Sequence, residues 1–228
     1  VGAEPGGRLV WRLSRGEMSI INRSPLGIIV DGADLGIVSD ITETERRSID
    51  TTHPAREVHS IATDRCNVAV FRASPATGAA ELTLTFRVYD DGAAFRYTVS
   101  GEGARRINGE ATAWSVPAEY DAWYQDNLVN YEGEFKKMSI GKIKTGSRLG
   151  VPVTLELPGG EGYAVITEGA LFDYSGMSLI STDGALRAEF IDDPDGWTSK
   201  GKIVSPWRIT IFAPDLNGLY NSDIVWNV

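Results

Sequence analysis

The chain has 228 residues, 42% hydrophobic and 23% charged, with a formal net charge of −9. That length is enough to bury one large core, while the acidic balance disfavours nucleic acid and anionic membrane surfaces, which select basic patches. A single cysteine, Cys66, excludes an intramolecular disulfide and zinc-finger spacing.

Strand patterns dominate from the start. Residues 9–13 alternate apolar and charged side chains, 18–22 form a second run, and Ser24-Pro25-Leu26-Gly27 punctuates before residues 28–30. Residues 58–63 and 68–72 are expected to pair as a hairpin around 64–67, with Cys66 a small, inert, buried side chain. Residues 82–89 alternate cleanly, meet Asp90-Asp91-Gly92, and return as 94–99, the strongest hairpin signal in the chain. Gly92 is expected to supply the positive φ of that turn. Further runs cover 151–157, 163–167, 178–180, 186–191 and 207–212, with Gly or Pro between most of them. Helical periodicity is confined to short candidates at 131–137 and 219–226. No alternation of strand and helix is present, so a parallel doubly wound sheet is excluded. The expected fold is all-β, a large antiparallel two-sheet β-sandwich with only short helices, forming one domain over residues 1–228.

Residues 114–150 interrupt the strand rhythm and hold Trp123-Tyr124-Gln125-Asp126-Asn127 and Asn130-Tyr131-Glu132. Long irregular stretches in compact domains are commonly functional, so Trp123, Tyr124, Tyr131 and Glu132 are expected at a substrate or domain interface. The turn Asp192-Asp193-Pro194-Asp195-Gly196-Trp197 lacks the spacing and distal glutamate of a calcium loop and reads as a solvated turn. His53 and His59, six positions apart, do not suit an acid and base converging in one cleft. No run approaches the length of a membrane-spanning helix, and residues 1–7 do not read as a signal peptide.

Phe86-Arg87-Val88-Tyr89-Asp90-Asp91-Gly92-Ala93-Ala94-Phe95-Arg96-Tyr97 resembles a signature of glycoside hydrolase family 97. Ser24-Pro25-Leu26-Gly27, Glu110-Ala111-Thr112-Ala113-Trp114, Asn130-Tyr131-Glu132, residues 166–177, Ser205-Pro206-Trp207-Arg208 and residues 219–228 follow that family's order, so the resemblance covers nearly the whole chain. It implies a galactose-mutarotase-like super-sandwich that serves as the N-terminal domain of an exo-acting α-glycosidase, with an α-glucosidase expected first. It also implies that the catalytic carboxylates lie on a (β/α)₈ barrel absent from this chain, so that the chain alone is not expected to hydrolyse glycosides. The implied partners are that downstream barrel and an oligosaccharide substrate, and the implied location is secreted or periplasmic. In α-glucosidase members the glutamate matching Glu168 helps ligate a calcium ion beside the catalytic carboxylates. Here Glu168-Gly169-Ala170-Leu171 keeps the carboxylate and changes the loop after it. A free-standing carbohydrate-binding module and a mutarotase-like enzyme are the alternatives.

Overall fold

A computed structural model of the chain describes residues 1–56, 58–78 and 80–228. Its backbone is a ten-strand antiparallel sheet and three smaller antiparallel sheets. The large sheet runs in the order Lys136–Ser139, Asp121–Tyr124, Val153–Glu156, Tyr163–Gly169, Trp207–Ala213, Gly92–Val99, Leu82–Tyr89, Ile61–Pro75 and Val38–Pro54, with Ile203–Val204 added beside Gly92–Val99. The second layer is divided among sheets built on Leu9–Arg15, on Ala104–Glu110 and on Ser178–Thr182. Strand alternation sends Leu82, Leu84, Phe86, Phe95 and Tyr97 of the large sheet into one core with Trp11, Ile21, Ile28 and Leu179 of the smaller ones. Each such side chain contributes about 1.5–3 kcal/mol through burial. Trp114 is fully buried there, its indole N–H donating to Thr210 Oγ1 at 3.1 Å.

The expected hairpin at Asp90-Asp91 is present, with Phe86 stacked on Phe95 across the strands at 5.3 Å. Gly92 has the expected positive φ, 159°, at the far edge of the range that L side chains rarely adopt, and space adds a second constraint. A Cβ at this position would lie 2.4 Å from the Thr210 carbonyl oxygen and 2.9 Å from Ile211 Cα.

Residues 58–72 do not fold back on themselves. Residues 61–72 belong to the single strand Ile61–Pro75, paired on one side with Val38–Pro54 and on the other with Leu82–Tyr89, and 58–60 precede it. The turn-like residues are accommodated by alternation. Asp64 and Cys66 are buried on one face while Arg65 and Asn67 are exposed on the other. Asp64 is paired with Arg87 at 3.3 Å. Val38–Pro54 is a charged edge strand exposed over most of its length, so it has no apolar alternation, and its charges discourage edge-to-edge association.

The helix expected at 131–137 is absent. Tyr131 has a φ of 57°, and the chain enters strand Lys136–Ser139 instead. The one expected at 219–226 is two short helices, Leu216–Tyr220 and Ile224–Asn227. They cover the outer face of the large sheet, where Ile224 packs in a second cluster with Trp207, Ile209, Ile211 and Val68. The tip of the long hairpin clasps the second helix. His59 Nδ1 meets Asp223 Oδ1 at 2.8 Å, His53 Nε2 meets Asn227 Oδ1 at 2.9 Å, and Thr63 N donates to Asp223 Oδ2 at 2.9 Å.

Candidate functional site

Strand Tyr163–Gly169 points Ala164 and Ile166 into the core, and the same alternation points Glu168 inward at the strand's end. There the layer opens, and the Glu168 side chain keeps 12% of its surface exposed. The residue across the ladder is Arg208, which is fully buried. Arg208 Nη1 donates to Glu168 Oε2, and the other edge of the guanidinium grips Glu110 through Nη2–Oε1 at 2.5 Å and Nε–Oε2 at 3.2 Å. Met177 N donates to Glu168 Oε1 at 2.9 Å.

The network continues inward. Glu110 accepts from Thr112 Oγ1 at 2.7 Å and from the Tyr174 hydroxyl at 2.9 Å. The Tyr97 hydroxyl lies 2.7 Å from Thr112 Oγ1 and accepts from Gly27 N at 2.9 Å. Tyr174 and Phe190 each present a ring 5.6 Å from the Arg208 guanidinium carbon. Burial alone would lower the pKa of Arg208, but the attraction and hydrogen bonds of Glu110 outweigh it, so the pKa is raised and the cation is held. Burial, reinforced by Glu110, pushes the Tyr97 and Tyr174 hydroxyls up and keeps them neutral donors. One cation between two carboxylates leaves the ionised cluster with one excess negative charge, and Glu168 is its member nearest solvent.

Five of the blocks that carried the family resemblance therefore meet in this network: residues 24–27, 86–97, 110–114, 166–177 and 205–208. Sequence reading isolated Glu168 but not the Arg208–Glu110 pair that aims it. The available signal was one charged residue, Arg208, inside a largely apolar strand that is buried throughout.

The expected interface residues do not form one site. Tyr131 is half-exposed, packs its ring over Gly150, and has its hydroxyl pKa raised by burial and then by Asp192 and Glu168, so it shares the Glu168 end of the sandwich. Glu132 is exposed beside it, its N–H donating to Asn130 Oδ1 at 3.1 Å. Trp123 lies on the opposite face of the large sheet, in line with Thr154 and Val165. It is partly exposed, bonded through Nε1 to Glu156 at 3.0 Å, with the Lys137 ammonium 5.3 Å from its ring centre. Tyr124 is 5% exposed and faces the core, so it offers no ring to a partner. Trp197, at the end of the 192–197 turn, is packed edge-on against Tyr174 at 4.7 Å.

A calcium ion takes six to eight oxygen ligands. The hard, anionic and partly exposed Glu168 carboxylate, with lone pairs remaining on both oxygens, fits one position of such a shell. Among the described residues no group of three or more His, Cys, Asp or Glu side chains could hold a metal ion. No helix of the described chain is long and apolar enough to cross a membrane.

A probable retaining alpha-galactosidase of Streptomyces bingchenggensis is 30% identical to this chain over 207 residues, covering 90% of the chain and 32% of that protein. A retaining alpha-galactosidase of Bacteroides thetaiotaomicron is 24% identical over 204 residues, covering 83% of the chain and 30% of that protein. A glycoside hydrolase family 97 enzyme from Pseudoalteromonas sp. strain K8, solved with acarbose, superposes with a TM-score of 0.87 at 22% identity, over 97% of this chain and 35% of that one. A beta-arabinopyranosidase superposes with a TM-score of 0.87 at 19% identity, over 100% of this chain and 40% of that one. The two structural likenesses establish the sandwich fold, and the chain spans about a third of the length of the two sequence relatives. The pattern of the family described as Glycosyl-hydrolase 97 N-terminal matches residues 1–228, and the chain belongs to that family.

Proposed function

We propose that the chain is the accessory N-terminal domain of an exo-acting α-glycosidase. It forms one wall of the active site and supplies Glu168 as one ligand of a calcium ion completed by a (β/α)₈ barrel. The observation that carries this reading is the fixed placement of Glu168. A buried guanidinium and a backbone N–H hold one carboxylate at the rim of the sandwich, in a cluster with one excess negative charge. Preorganisation of this kind suits a ligand that must meet groups from another domain. Glycoside hydrolysis itself needs a pair of carboxylates flanking the scissile bond, and in this reading the barrel provides them. The two sequence relatives named as alpha-galactosidases favour an α-galactoside as substrate ahead of the α-glucoside expected from the sequence.

The test is Glu168→Gln in the full-length protein. Gln retains the shape and one carbonyl oxygen but not the charge that calcium favours. Calcium affinity and turnover of an aryl α-galactoside are expected to fall together, by roughly tenfold or more, the scale on which even outer-shell partners of a metal act. Unaltered calcium dependence and rate would leave the domain with a packing role alone.

A further inference from the structure

On the outer face of the large sheet, Trp207 is almost fully buried beneath two arginines. The guanidinium carbon of Arg96 lies 4.5 Å from the indole ring centre and that of Arg87 lies 5.1 Å from it. Their situations differ. Arg87 is satisfied: Nη1 meets Asp64 Oδ2 at 3.3 Å and donates to the backbone carbonyl of Asn227. Arg96 is half-buried, makes no ion pair among the described residues, and has its Nε buried with no hydrogen-bond partner. Two cations and one carboxylate on this patch leave one excess positive charge, in a chain whose net charge is −9. Burial, and then repulsion from Arg87, lower the pKa of Arg96. The indole face attracts this cation but accepts no N–H in its plane, so the buried Nε is left with an unmade hydrogen bond. Its planar guanidinium matches the two oxygens of a carboxylate.

The location points to where that carboxylate comes from. Arg87 grips the carbonyl of Asn227, and Val228 packs beside Gly169, the ladder partner of Trp207, so the backbone beyond Val228 leaves from the surroundings of the indole that seats Arg96. At about 3.3–3.6 Å per extended residue, the next few residues reach it. We propose that Arg96, seated on Trp207, is the socket for a single carboxylate carried by the polypeptide that follows residue 228, and that this ion pair fixes the direction in which the next domain leaves the sandwich. The inference rests on the reading that a catalytic domain follows this one. It gives Arg96 of the Ala94-Phe95-Arg96-Tyr97 motif a role between domains, separate from the hairpin in which it sits.

The experiment uses the full-length protein carrying Arg96→Lys and a zero-length carbodiimide cross-linker, which joins an amine to a carboxylate in contact with it. Peptide mass spectrometry is expected to show an amide link from position 96 to an Asp or Glu beyond residue 228, and no such link in Arg96→Gln. Limited proteolysis of Arg96→Gln is expected to cut just after residue 228 several-fold faster than in the wild type, with the melting temperature of the sandwich retained. No link in a folded Arg96→Lys protein, a link to a residue within 1–228, or unchanged cleavage of Arg96→Gln would overturn the proposal. A natural gene product of only 228 residues would defeat the underlying reading before any cross-linking. Absence of a link in a longer product would defeat the socket alone.

Discussion

Arg208→Met removes the only cation from a cluster that holds two carboxylates. The substitution approximately conserves the long unbranched stem and leaves the Tyr174 and Phe190 rings a partner. What it costs is the charge. Glu110 has no exposed side-chain surface, loses both guanidinium bonds, and keeps only the Thr112 and Tyr174 hydroxyls as donors. Breaking a buried ion pair by deleting one partner costs about 3–5 kcal/mol. The two surviving neutral donors put the expected loss near the lower end, about 3 kcal/mol. Glu168 adds little, because its exposed edge can take up water once Arg208 is gone. In a chain of this size the loss corresponds to a fall of roughly 6–12 °C in melting temperature. Urea unfolding followed by circular dichroism measures it directly. Adding Glu110→Gln removes the stranded charge, so the double variant is expected to be more stable than the sum of the single losses by about 1–3 kcal/mol. A single-variant loss below about 1 kcal/mol, the scale of a solvent-exposed pair, or strictly additive losses in the double, would refute the view that Arg208 neutralises a sealed carboxylate.

Gly92→Ala drives a methyl against the Thr210 carbonyl, which the sheet ladder holds in place. A loss of about 1–3 kcal/mol is expected in a thermal melt, and an unchanged midpoint would show that the strands can separate there. His59 has its pKa raised, chiefly by its hydrogen bond to Asp223. A raised folded-state pKa means that its contribution to stability is complete below the ordinary histidine value, about 6.5, and is lost as pH rises through the folded one. The melting-temperature gap between wild type and His59→Gln should therefore be present at pH 5.5 and close by pH 8.5, and a gap independent of pH would assign the contact to packing.

Strands were legible in the sequence where runs of alternating or apolar residues are bounded by turn signals: 82–89 with 94–99, 163–167 and 207–212 all lie in strands. The strand Val38–Pro54 escaped because an edge with both faces in water carries no period at all. The misplaced turn at 64–67 came from reading Asp64 and Asn67 as punctuation, when Asp64 has a cation across the sheet to meet. At the candidate site, Glu168 was singled out through resemblance, whereas its supports were invisible pairwise. Glu110 and Arg208 are 98 residues apart and lie on different sheets, so only the packing of one layer on the other brings them together. Tyr124 and Trp123 are neighbours in a segment rich in aromatics, and composition could not say that alternation sends one inward and the other out.

The position of strand Trp207–Ala213 sets an order on how the domain comes together. It is the last strand in the chain, yet it lies in the middle of the large sheet, between Tyr163–Gly169 and Gly92–Val99. Until it inserts, the sheet is two separate ribbons with open edges, one ending at Gly92–Val99 and the other at Tyr163–Gly169. Glu110 and Glu168 lack the bridging guanidinium of Arg208 during that time. A chain emerging from the ribosome therefore cannot complete the sheet until residue 213 is free of the exit tunnel, and that completion joins partners more than a hundred residues apart. Truncations ending before residue 207 would leave both ribbons exposed for pairing with other chains, whereas those ending after 213 would retain the joined sheet and lose only the helices that cover it.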